Sequence, residues 1–260
     1  MIAIVFPEIK EQLDSVYKFL ETRYNIKSSK LPDNFNEFLE RTIYTIIAIK
    51  LWVSNIEKDT TRDPIQNQGE ILYFFKEVVS DLNNFLILGS LGFKSASYLF
   101  IRRGLENFMK FIYFKDHPVE YYSTPYIEPK ILREYLKKYP PKLIIIRSRF
   151  TDNDTERIKN ILKELNQELD YLYRKTSRYV HGQSKINLEL VEYLNDLGPG
   201  DEEYFKNLTS LIERFSLIIQ GTLILIYNEI YRKLDANQKK IIHMSIPTHK
   251  GIKQDILSLY

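Results

Sequence analysis

Apolar residues return at three- and four-residue steps along most of this chain, the period of helices with one buried face. Phe35, Phe38, Leu39, Ile43, Ile46 and Ile47 form one such stripe, on a helix that Pro32-Asp33 opens and that ends near Glu57. The same period predicts helices over about 7–24, 68–88 and 93–116. Thr60-Thr-Arg-Asp-Pro64 breaks the chain before the second of these, and Gly89 and Gly92 bracket the turn before the third. His117-Pro118 closes that helix, because a proline pushes the residue before it out of the helical region. Thr151-Asp-Asn-Asp-Thr155 caps a long helix reaching His181, with Gly182 as its left-handed stop. A short helix follows at about 186–196, Gly198-Pro-Gly200 breaks it, and Asp201 caps a long apolar helix to about Leu234. The tail, 235–260, carries one or two short helices.

Residues 118–150 depart from this pattern. Pro118, Pro125, Pro129, Pro140 and Pro141 leave room only for short helices, and Leu143-Ile-Ile-Ile146 has the makings of a short strand. The expected fold is all-α: a bundle of long antiparallel helices with a Pro-rich, basic excursion at about 118–150, all within one helical domain spanning 1–260. With only 9 glycines and 10 prolines among 260 residues, tight turns are few, which favours long helices. A balance of 44% hydrophobic and 27% charged residues is that of a folded chain.

The absence of cysteine removes disulfides, thiolate metal sites and cysteine catalysis, and is compatible with a reducing cytoplasm, where the protein is expected. The N-terminus has no basic n-region or cleavage pattern, so no signal peptide is read there. The longest apolar run, Phe215 to Tyr227, is interrupted by Gln220 and is shorter than the ~20 residues of a membrane span. It reads as a buried helix. The net charge of +3 is too small to identify a partner.

Candidate chemistry sits in Arg174-Lys-Thr-Ser-Arg-Tyr-Val-His181. Seven positions are close to two helical turns, so Arg174 and His181 point the same way. Ile158, Ile161, Leu162, Leu165, Leu169, Leu172 and Val180 gather on one side of this helix. Arg174, Ser177, Arg178 and His181 gather nearly opposite, with Lys163, Gln167 and Asp170, which argues against a core histidine. Two accounts stay open. Cations in the last turns of a helix favour the negative end of its dipole. Alternatively, a histidine that moves a proton beside guanidinium groups that hold a phosphate can cut RNA.

Arg174-x6-His181 on a late helix of an all-helical chain resembles the Arg-x(4–6)-His motif of the HEPN superfamily. The stretch Ser95 to Tyr113, with Arg102-x3-Glu106, followed by Ser177-x3-His181-Gly182, is similar to HEPN-like bacterial bundles. The likeness covers about 90–182, within a HEPN-like core of about 68–234. Lys175 departs from the Asn, Asp or His that many family members place after the arginine. The resemblance implies a homodimer in which two such helices build a composite, metal-independent endoribonuclease site that uses no cofactor. His181 would activate the ribose 2′-OH or protonate the leaving oxygen. Arg174 would hold the scissile phosphate, Arg178 would be a second contact or an alternative to it, and Ser177 would orient the imidazole. Family members of this kind resemble effectors of toxin–antitoxin or phage-defence systems. The competing expectations are a non-catalytic HEPN-like interaction module that binds a partner protein or nucleic acid, and a structural subunit of a larger assembly.

Two further features bear on this. Arg102, Arg103, Glu106 and Lys110 form the polar strip of an otherwise apolar helix. An i,i+4 ion pair between Arg102 and Glu106 is the simplest reading, and support of His181 is the functional one. Lys130, Arg133, Lys137, Lys138, Lys142, Arg147 and Arg149 stand against Glu134 alone, interleaved with Tyr135 and Tyr139. That segment is either an RNA-binding surface or a solvated face. His117, His243 and His249 are isolated, so no metal site is expected, and no glycine-rich phosphate loop is present.

Overall fold

The predicted apolar stripes close on one another in the computed structural model, which describes residues 7–60, 68–123, 126–147, 150–180, 200–247 and 251–259. Among the described residues there are twelve α-helices and no strand. The long ones are α1 (Pro7–Tyr24), α2 (Phe35–Thr60), α3 (Gln68–Ser90), α4 (Lys94–Asp116), α8 (Thr155–Val180) and α9 (Glu202–Ile226). Three short helices fold the excursion: α5 (Pro118–Ser123), α6 (Pro129–Lys137) and α7 (Pro141–Ile146). Three more form the C-terminal end: α10 (Asn228–Lys233), α11 (Ala236–Ser245) and α12 (Gly251–Leu257).

Helix α9 lies at the centre, against α2 on one side and α8 on the other, while α4 packs between α3 and α8. Asp201 caps α9 by accepting the Tyr204 N–H at 2.8 Å. By length and composition α9 is apolar enough to cross a membrane, but 83% of its apolar window is buried inside the bundle, as befits a core helix. The turn joining α3 to α4 needs Gly92, whose φ of 87° is left-handed. Ile158, Ile161, Leu162, Leu165, Leu169 and Leu172 of α8 are all buried as expected; the side chain of Val180 lies outside the described set.

Two expectations are corrected. Leu143 to Ile146 is helical, within α7, because Pro141 at the first helical position starts a turn that the run continues. The helix expected over 201–234 is two, α9 and α10, parted at Tyr227 (φ −107°, ψ 39°). Helical geometry lapses where the Tyr227 ring stacks on Phe111 of α4, 6.0 Å between centroids. Of the break expected at Thr60–Pro64, Thr60 is still the last residue of α2; its remainder, the Gly182 stop, the helix at 186–196 and the Gly198 break lie outside the described residues.

The α3–α4 contact buries a carboxylate. Asp81 has a fully buried side chain; Asn107 donates to its Oδ2 at 2.8 Å. Arg103 Nε is 3.0 Å from Oδ1, but off the line of a hydrogen bond, so that oxygen has no donor. Burial pushes the Asp81 carboxyl up to about 6, against the opposing pull of Asn107 and Arg103. A folded pKa above the unfolded one means that the native state binds the proton more tightly between the two values. The stability contributed by this group is therefore full below about 3.8 and falls as pH rises towards 6. We expect the unfolding free energy of wild type to drop relative to Asp81→Asn by about 2–3 kcal/mol between pH 4 and 7. Denaturant titrations of both proteins at several pH values measure it, and a difference that does not change with pH would refute it.

Candidate functional site

The predicted stripe lies on the last turns of α8, the helix that the Thr151–Asp154 capping box introduces. Arg174 and Arg178 are exposed, and Ser177 is half-buried. Arg174 Nε donates to the Asp170 carbonyl at 3.2 Å, and among the described residues Arg174 has no carboxylate partner. The Ser177 hydroxyl donates to the Tyr173 carbonyl at 2.6 Å, so it is spent on its own helix. His181 follows the last residue of α8 and lies outside the described residues, as does Arg149. With Tyr171, Lys175 and Tyr179, the two arginines line a surface hollow of about 400 Å³. Tyr171 is 40% exposed and is backed by the Arg214 guanidinium, 4.2 Å from its ring centre and itself paired with Glu168. Neither tyrosine is conspicuous in the sequence; the signal is their position beside the arginines at helical spacing.

The polar strip of α4 divides: Arg102 and Glu106 reach this helix, while Arg103 and Lys110 turn to Asp81, Glu77 and Phe74 of α3. Arg102 pairs with Glu106 at 3.0 Å, the expected i,i+4 contact. The two close a triangle with Tyr173: Arg102 donates to the Tyr173 hydroxyl, and that hydroxyl donates to Glu106, each at 3.2 Å. Burial, then the Glu106 charge, push the Tyr173 phenol up. Tyr173 immediately precedes Arg174, so the triangle holds the turn from which the stripe starts. The residue that makes the link, Tyr173, is one that sequence reasoning passed over.

The basic excursion docks beside the same turns. Lys137 and Arg133 of α6 meet Asp170 of α8, at 3.0 and 3.8 Å. Arg133 also lies over the Tyr173 ring, 4.9 Å from its centre. Asn166 donates to the Lys137 carbonyl at 2.9 Å, which fixes α6 to α8 through the backbone. The excursion is thus less cationic than its composition implies. Arg147 pairs with Asp116, and Lys138 lies 3.7 Å from Glu134. Lys130, Lys138 and Lys142 are exposed, and among the described residues Lys130 and Lys142 make no ion pair.

Asp116, at the end of α4, is the anchor of the excursion. Lys115 lies 2.7 Å away, Tyr135 donates at 2.8 Å, and Arg147 donates as well. Burial alone would raise this carboxyl; Lys115, with hydrogen bonds from Lys115, Arg147 and Tyr135, outweighs it and brings the group down to about 2. Two of the isolated histidines are spent locally. His117 Nδ1 donates to the Tyr113 carbonyl at 3.0 Å, and His243 Nε2 meets the Tyr231 hydroxyl; His249 lies outside the described residues. Among the described residues no three His, Asp or Glu side chains gather where a metal ion could sit.

Compared with known proteins, the chain matches no family model, and neither the curated proteins nor the solved structures yield a significant match.

Proposed function

We propose that this chain is a HEPN-like, metal-independent endoribonuclease that acts as a cytoplasmic homodimer, an effector of a toxin–antitoxin or phage-defence system. One observation carries the reading. Arg174 and Arg178 stand exposed in successive turns of α8, opposite its buried face, and the cationic excursion is tied to the turn before them. Arginine forks at that place hold a phosphate through paired N–H donors and stabilise the charge that develops on it during transfer. His181, next in the chain after α8, supplies an imidazole, the side chain whose ordinary pKa suits proton transfer near neutral pH. One histidine takes the 2′-OH proton as that oxygen attacks phosphorus. The partner subunit's histidine, in its own turn, protonates the departing 5′ oxygen. The products are a 2′,3′-cyclic phosphate and a 5′-hydroxyl end. An outward stripe suits a site completed by a second copy, because only an exposed motif can meet its equivalent.

The test is cleavage of end-labelled RNA in excess chelator by wild type, Arg174→Ala and His181→Ala. Wild type is expected to cut without metal, and each variant to lose about 10²–10³-fold in rate. Wild type that never cuts, or variants that cut as well as wild type, would overturn the assignment. A second reading, a non-catalytic HEPN-like module that binds nucleic acid or a partner protein, is favoured by Ser177. Its hydroxyl is already committed to the Tyr173 carbonyl. RNA binding that survives without any cutting is the outcome that selects this reading.

A further inference from the structure

A cleft of about 560 Å³ runs between the excursion and α8. Its floor is apolar, made by Pro141 with the edges that the buried Tyr139 and Leu162 leave exposed. Four lysines rim it: Lys137 and Lys138 at the end of α6, and Lys159 and Lys163 one turn apart on α8. Lys137 is bound to Asp170 and neutralises it, so the carboxylate at the end of the cleft does not repel an anion. Among the described residues Lys159 pairs with the exposed Glu156 alone and Lys163 makes no ion pair. Gln167 stands on the same wall, and among the described residues its amide makes no hydrogen bond. An apolar floor, an amide and ammonium groups at the rim are the complement of one nucleotide: a ring face, a base edge and a phosphate.

The position of the cleft says what carries that nucleotide. At about 100° per residue, Lys159, Lys163, Gln167, Asp170, Arg174 and Arg178 fall on one stripe of α8. Asp170 closes the cleft, and Arg174, one turn on, opens the arginine hollow. From Lys159 to Arg178 the stripe is about 28 Å long, at about 1.5 Å per residue. That suits a strand of on the order of four to six nucleotides, a short single-strand site.

We infer that this cleft is a subsite for one unpaired nucleotide of the RNA, several nucleotides from the phosphate held by Arg174 and Arg178. Its phosphate rests on Lys159 and Lys163, and its base packs against Pro141 with its edge at Gln167. This rests on the RNA reading above, but not on the chemistry of cutting. A base-paired nucleotide hides both its edge and its face, so the cleft has nothing to grip in a duplex.

The experiment is fluorescence anisotropy with 2′-O-methyl oligonucleotides, which present the phosphates and bases but no 2′-OH to attack. A labelled dodecamer, its duplex, and nucleoside monophosphates as competitors are compared on wild type, Lys159→Gln/Lys163→Gln and Gln167→Ala. All three positions are on the outer stripe, and melting curves check that the variants remain folded. The single strand is expected to bind at least tenfold more tightly than the duplex. The double variant should lower the magnitude of the slope of log K against log salt by about 0.7, the signature of one phosphate no longer neutralised. Gln167→Ala should weaken binding while leaving that slope unchanged. A slope unchanged in the double variant, equal affinity for duplex, or binding of monophosphates without the strand would overturn the subsite. If RNA is bound with these signatures but never cut, the subsite stands and the nuclease assignment fails. If RNA is cut while the double variant binds it like wild type, the reverse holds.

Discussion

Replacing Asp116 by alanine is expected to lower the unfolding free energy by about 3–5 kcal/mol, the range for breaking a buried pair from one side. The Asp116 side chain is 5% exposed and the Lys115 side chain 13%. Removing the carboxylate leaves an ammonium that burial already disfavours, with the Tyr227 ring 5.6 Å from it and, among the described residues, no other anion to meet it. The Tyr135 hydroxyl loses its acceptor at the same time. Arg147, 44% exposed, can return to water and adds less. The loss reaches further than one pair, because Tyr135 is on α6 and Arg147 follows α7: both short helices are pinned to α4 at this point. Denaturant unfolding of Asp116→Ala measures the effect. A second change, Lys115→Met, should restore part of the stability by removing the orphaned charge, and a loss under 1 kcal/mol in the single variant would sink the argument. The pH dependence has the opposite sign to that of Asp81. A carboxyl held at about 2 contributes stability that is present above about 4 and is lost as pH falls towards 2.

Trp52→Ala is the second large effect, also about 3–5 kcal/mol. Trp52 is the sole tryptophan and is fully buried where α2 meets α9. Its Nε1–H donates to Gln220 Oε1 at 2.7 Å, and its ring stacks near Tyr231, 6.3 Å between centroids. Alanine leaves a cavity the size of an indole and strands the Gln220 carbonyl oxygen. Gln220 is itself fully buried, and its Nε2 has no partner among the described residues, so the amide depends on Trp52. Trp52→Phe separates the two terms. It keeps most of the volume and should lose about 1–3 kcal/mol for the unmet acceptor. Trp52→Phe/Gln220→Leu removes both polar partners and should recover much of that. Circular dichroism melts follow all three variants, and a double variant no more stable than Trp52→Phe would contradict this account of Gln220.

That glutamine shows what a sequence can and cannot disclose. Its place in the run from Phe215 to Tyr227 marks a polar interruption of a buried helix, which is legible as a reason to doubt a membrane span. That it accepts a hydrogen bond from a tryptophan 168 residues away is not legible, because no local period encodes it. The α8 motif divides the same way. Its apolar face was readable residue by residue, since burial follows helical phase, and the Arg102–Glu106 pair followed from i,i+4 spacing. The role of Tyr173 as the joint between that pair and the stripe was not, since Tyr173 belongs to neither pattern.

The charges of the excursion are the clearest division. Counting residues makes 130–150 a strongly basic segment. In the fold, Arg147 is answered by Asp116, 31 residues away, and Arg133 and Lys137 by Asp170 on another helix. The cations left facing solvent include Lys138 beside α8, and lysines of α8 that composition did not single out complete the cleft. The sequence by itself determined most of the long helices, the buried faces of α2 and α8 and the outward direction of Arg174 and Arg178, because these depend on steps of three and four residues; the helical turn at 141–146 and the division at Tyr227 were not legible there. Only the tertiary structure decided which cations are spent on the fold and which line an open cleft, because ion pairs form across distances in space that spacing along the chain does not constrain.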